Sequence, residues 1–185
     1  MIQLVLGLVL FAGIHFWKRL APGWRATWGD RGKLVVTAGS VLGIVLMARG
    51  YGAWDGSRFF WGRTEAMTGV NNLLVVLAFY LFAASGMRTR VTRYVRHPQL
   101  TAVVLWAVAH LLVNGDVASF VLFGGLLAWA LVEMALINRA EPAWVAPPPA
   151  PARKEAMAVV GTVAVVAVVG AIHGWIGPWP FGGGA

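Results

Sequence analysis

The chain has 185 residues, of which 59% are hydrophobic and 12% charged. Soluble domains carry roughly 45–50% apolar and about 25% charged residues. This composition excludes a disordered chain, and a 19.8 kDa soluble particle has too little interior to hide so much apolar surface. With no cysteine, disulfides, thiolate nucleophiles, iron–sulfur clusters and cysteine-based zinc sites are excluded. The net charge of +8 lies in short segments between apolar runs, which suits membrane topology and not a nucleic-acid-binding domain.

A membrane-spanning helix needs about 20 apolar residues. The uncharged runs predict six such spans, over residues 1–17, 34–54, 67–87, 97–114, 117–137 and 156–177. The second is interrupted by Arg49 and the fifth by Glu133. Alternating short segments of a β-barrel are absent, so the fold class is all-α, an integral membrane bundle in a single domain over residues 1–185. Met1–Trp17 has neither a basic leader nor a small-residue cleavage site, and reads as a retained span. Asn114-Gly115-Asp116 predicts a tight turn between the fourth and fifth spans, with Asp116 as the helix cap. Residues 141–153, rich in proline, predict an extended linker. Gly170 and Gly174 form a G-x-x-x-G pair suited to close helix packing.

Twelve of the fifteen Lys and Arg residues fall on the segments after spans one, three and five, including Lys18, Arg19, Arg93 and Arg96. Only Arg49, Arg58 and Arg63 fall on the other side. This bias places the protein in a bacterial inner membrane with both termini periplasmic and the proline-rich linker cytoplasmic.

All four histidines lie in or at the edge of a span. At 1.5 Å per residue, His15 is about 21 Å from the outer face, and His110 and His173 are about 20 and 27 Å from the inner face. His97 stands at the surface, where it caps the fourth span before Pro98. Ionisable groups inside the hydrocarbon layer are costly and usually functional. His15 and His110 differ by about 10 Å in depth, so a tilted flat cofactor would bridge them, while His110 and His173 are also close in depth. Val103, Trp106, Ala107 and Asn114 share the helical face of His110. Lys18 and Arg19, one turn beyond His15, suit haem propionates or plain topology. With no cysteine, His or Met are the available axial ligands. Glu133 is expected to pair with Arg139, and Asn71 and Asn72 to hydrogen-bond across helices.

The stretch RHPQLTAVVLWAVAHLLVNGD, Arg96–Asp116, resembles the NnrU family of bacterial membrane proteins. GLVLFAGIHF (Gly7–Phe16), APGWR (Ala21–Arg25) and His173-Gly174-Trp175 fit the same pattern, so the resemblance covers nearly the whole chain. It implies a role in denitrification and nitric oxide metabolism. The family also includes the zeta-carotene isomerases, haem b enzymes of the membrane, and that branch implies His110 as a haem ligand with His15 as its partner on an earlier span. The candidate haem-binding residues also include Trp106 and Asn114, from the helical face of His110, and Arg96 and His97, from the RHPQ piece that recurs in that branch. The chain departs from the isomerases in carrying no Cys near His110. RYVRHPQL is also similar to the RHPxY motif of membrane methyltransferases that use S-adenosylmethionine, but Leu100 replaces the motif's Tyr.

The leading expectation is an NnrU-like protein that binds haem b through two histidines. It would act on nitrogen oxides such as nitric oxide or, as a cis–trans isomerase, on a hydrophobic polyene. The alternatives are methyl transfer through Arg93, Arg96 and His97, or a non-enzymatic assembly factor whose histidines only join helices.

Overall fold

The computed structural model describes residues 1–56, 58–177 and 179–182. It is helical almost throughout: α1 (Ile2–Leu20), α2 (Pro22–Thr27), α3 (Arg31–Gly52), α4 (Glu65–Met87), α5 (Pro98–Val113), α6 (Val117–Ala140) and α7 (Ala152–Ile176). Five of these, α1, α3, α4, α6 and α7, are long and apolar enough to cross a membrane. The second and fifth of the expected spans are among the five despite Arg49 and Glu133, whereas the 16 residues of α5, the expected fourth span, rise only about 24 Å. The all-α membrane bundle read from the sequence is the observed architecture. Residues 141–151 carry no regular structure, as their prolines demand.

Two features depart from the expected turns. Gly115–Asp116 is not a tight turn but a short extended strand, β2, which pairs with β1 (Phe59–Trp61). One residue later Asp116 does cap α6, its carboxylate accepting from Ser119 N at 2.9 Å and Ser119 Oγ at 2.6 Å. Within its first two turns α6 widens into a π-helical stretch over Phe120–Gly124. Elsewhere the helix ends follow their residues. Thr64 caps α4 by accepting from Met67 N at 3.2 Å. Pro98 opens α5, where its missing N–H removes nothing.

Contacts divide the chain into two compact units, Met1–Phe60 with Gly115–Pro142, and Trp61–Asn114 with Ala143–Ala185. In the first, α1 lies along α3 with backbone against backbone. A Cβ on Gly7 would meet Gly43 O and Met47 N at 2.7 Å, and one on Gly50 would strike the backbone of the fully buried Leu4. Small residues give apolar helices their closest approach where lipid offers no hydrophobic drive. Gly50→Val is therefore expected to split this pair, since the atoms it meets are backbone and cannot turn away. We expect a loss of about 3 kcal/mol or more, read as a lower thermal midpoint and a smaller monodisperse fraction. An unchanged midpoint would mean that α1 and α3 do not pack this way.

In the second unit α4 is central. It packs along α5 and along α7, whereas α5 and α7 barely meet. Ala78, Leu81 and Ala102 form its core, covered by Tyr80, Val91, Leu105 and Trp106. Glu155, in the first turn of α7, ties the elements together by accepting from Tyr80 OH at 3.3 Å and from Arg90 N. Asn71 lies between α4 and α5, and with its amide oxygen and nitrogen exchanged it donates to Ala109 O at 2.9 Å, the bond across helices expected of an asparagine between spans. The glycine pair of α7 does not receive another helix. Cβ atoms at Gly170 and Gly174 would collide with Phe181 and Trp179, so the chain's own C-terminal turn folds back onto that face. Arg63 fastens the turn by donating to Trp179 O at 3.1 Å and Pro180 O at 3.5 Å.

Candidate functional site

In each unit one histidine is held in the same local way. His15 Nδ1 lies 2.7 Å from Phe11 O, and His110 Nδ1 lies 2.8 Å from Trp106 O. A carbonyl only accepts, so both Nδ1 atoms carry the proton. In a neutral ring so held the lone pair resides on Nε2, a nitrogen that binds metals. The residue four back is aromatic in both and packs on the imidazole. Phe11 and His15 have ring centroids 4.3 Å apart, and Trp106 and His110 4.6 Å apart. Ala follows the aromatic in both, giving Phe11-Ala12-x-x-His15 and Trp106-Ala107-x-x-His110. Reading span by span misses this repeat; aligning the two histidines on themselves would have found it.

Around His15, α6 supplies a second aromatic wall. Trp129 meets His15 edge-on at 5.0 Å, and Phe11 at the same distance. One turn further along both helices Arg19 Nε donates to Glu133 Oε1 at 3.2 Å, and Arg19 also reaches Glu141 at 3.4 Å. The expected Glu133–Arg139 pair does not form. Six residues along a helix is about 240° of rotation, so the two side chains leave α6 on different faces. Trp129 Nε1 and Glu133 Oε2 are buried without a hydrogen-bond partner. Lys18 is exposed and makes no ion pair among the described residues.

Around His110 the second unit gathers several of the expected residues. Asn114 Nδ2 donates to His110 O at 2.8 Å, closing the end of α5. Ala107 is fully buried. His173 lies on α7 in the same unit. Arg96 and His97 are half-buried just before α5, with His97 at its N-cap position but without a side-chain cap bond. Among the described residues no group of three or more His, Asp or Glu side chains is gathered as a metal cage would need.

The sequence profile described as NnrU protein matches residues 3–180. The chain belongs to the NnrU family. No curated protein and no solved structure matches it. As an NnrU protein it is a helical membrane protein whose family match runs through both units and takes in all four histidines.

Proposed function

We propose that this NnrU protein binds haem b with His110 as an axial ligand, and that it serves nitrogen-oxide metabolism or the cis–trans isomerisation of a lipid-soluble polyene. The observation that carries the reading is the imidazole of His110 inside an apolar helix, its Nδ1 donating to Trp106 O, which fixes the ring and puts the metal-binding lone pair of the neutral tautomer on Nε2. Such a donor set fits haem, which brings its own four equatorial nitrogens and asks the protein for one or two side chains. When bound, haem b supplies an iron that changes oxidation state and takes small ligands such as nitric oxide. The chain's own part is to orient the imidazole, enclose it with Trp106 and Ala107, and keep water away.

Two histidines compete for the second axial position. His15 carries the same prepared Nε2 and is the ligand that the family resemblance implies. His173 is the histidine that shares a unit with His110. The protein, purified from haem-replete cells, should show a strong Soret band that shifts on reduction; a colourless preparation overturns the proposal.

The proposed placement is a bacterial inner membrane with both termini periplasmic. It rests on the twelve-to-three distribution of basic residues. The final residue, Ala185, lies outside the described residues. A C-terminal reporter active only in the cytoplasm should be silent, and the same reporter fused after Arg90 should be active. The opposite pattern would reverse the orientation.

A further inference from the structure

The turn that leads from α1 into α3 carries charge and hydrogen-bonding capacity that the protein itself does not meet. We propose that this turn binds one anionic phospholipid, with Arg25 taking the phosphate and Trp17 Nε1–H donating to an acceptor oxygen of the same headgroup. The site rests on α1 and α3 crossing a membrane, and is independent of haem.

Trp17 belongs to the last turn of α1, whose 19 residues rise about 28 Å and so bring it to the headgroup level. Its side chain is buried, only 9% exposed, yet its indole N–H has no partner among the described residues. A buried donor left unpaired is costly, and a lipid oxygen at this depth is the acceptor that would relieve it. The guanidinium of Arg25 covers that indole ring at 5.4 Å. Trp24 and Trp28 meet the edges of Trp17 at 5.1 and 5.6 Å and turn the rest of their surface outward, 61% and 41% exposed. Exposed indoles around a cation are what a protein presents to the glycerol and phosphate layer.

The charge balance points the same way. Arg25 donates to Gly29 O at 3.1 Å and makes no ion pair among the described residues. Its guanidinium lies flat on Gly32, where a Cβ would collide with it, in the first turn of α3. That end of a 22-residue helix is itself the positive end of the dipole. Lys33 is paired with Asp30 at 2.8 Å and Arg19 with Glu133, which leaves Lys18, Arg25 and Arg31 without a counter-charge among the described residues. Planar guanidinium N–H groups match phosphate oxygens, and an anion is the group missing from this cluster.

The test is native mass spectrometry of the full-length protein, delipidated in neutral detergent and titrated with phosphatidylglycerol or phosphatidylcholine. We expect one phosphatidylglycerol to be retained well above phosphatidylcholine. Retention should fall about tenfold in Arg25→Gln and severalfold in Trp17→Phe, which removes the N–H together with the pyrrole ring that carries it. Arg25→Lys, which keeps the charge but loses the fork, should lie between wild type and Arg25→Gln. Inorganic phosphate in large excess should not displace the lipid. Equal retention of the two lipids by the wild-type protein overturns the proposal, and does so even if a variant fails to fold. So does unchanged retention in a folded Arg25→Gln protein, or displacement by free phosphate, which would make this a site for the ion.

Discussion

His110→Ala is expected to abolish the Soret band of the purified protein or reduce it to a small residue. The imidazole it removes is the one whose Nδ1 is engaged by Trp106 O, which leaves Nε2 as the ring's lone-pair nitrogen, and no other His or Met on α5 can replace it. The bond that fixes a ligand's ring also tunes its basicity, so disturbing it should move the spectrum without deleting it. Trp106→Leu tests this by removing the ring that packs on His110 while keeping the carbonyl, and should leave a band at lower occupancy. His97→Ala should change the spectrum little, because His97 stands at the N-cap of α5, thirteen residues and about 20 Å from His110. The second ligand is read from a pair of variants. Loss of the low-spin spectrum in His15→Ala with His173→Ala unchanged assigns the position to His15, and the reverse assigns it to His173. Full retention of the band in His110→Ala would remove the central residue of the proposal.

What the sequence made legible follows from what each signal depends on. The spans are a property of local composition, since an uncharged run of about 20 residues has no other stable state in lipid. Their positions therefore hold to within a few residues, from Ile2–Leu20 to Ala152–Ile176. Asp116 as a cap and Pro98 as a first helical residue are also local, and both are in place. The partners of polar side chains are not local. Glu133 finds Arg19, 114 residues away, on a helix that only the folded chain brings to α6. Gly170 and Gly174 look like a seat for another helix because composition says only that the face is flat. Phe181 and Trp179, a few residues downstream, fill it first. The importance of His15 and His110 shows in a sequence that puts imidazole in hydrocarbon. The state of their rings does not, because it depends on a side-chain rotation that sets Nδ1 on the carbonyl one turn back.

Glu133→Ala is expected to be the most destabilising of the charge deletions in the first unit. Glu133 is 8% exposed and holds Arg19 at 3.2 Å, while the other partner of Arg19, Glu141, is a mostly exposed carboxylate at 3.4 Å. Removing one member of a buried ion pair costs about 3–5 kcal/mol when the other is left uncompensated, and here Arg19 keeps only the exposed carboxylate of Glu141, so the loss is expected toward the lower end of that range. For a chain of this length that corresponds to a fall of roughly 10 °C in thermal midpoint. Arg139→Ala, at the partner that the local sequence suggests, should stay within about 0.5 kcal/mol of wild type, as a charge on another face does. Replacing both members, in Arg19→Met with Glu133→Leu, should recover most of the loss, because it also removes Glu133 Oε2, which is buried without a partner in the native protein. The midpoint of each variant, measured by scanning fluorimetry in one detergent, separates the cases. If Arg139→Ala is as damaging as Glu133→Ala, the carboxylate is paired along its own helix and α1 is not joined to α6 through Arg19. If the double replacement is no better than Glu133→Ala, the loss comes from packing around the methylenes of Arg19, and the charge of the pair is incidental.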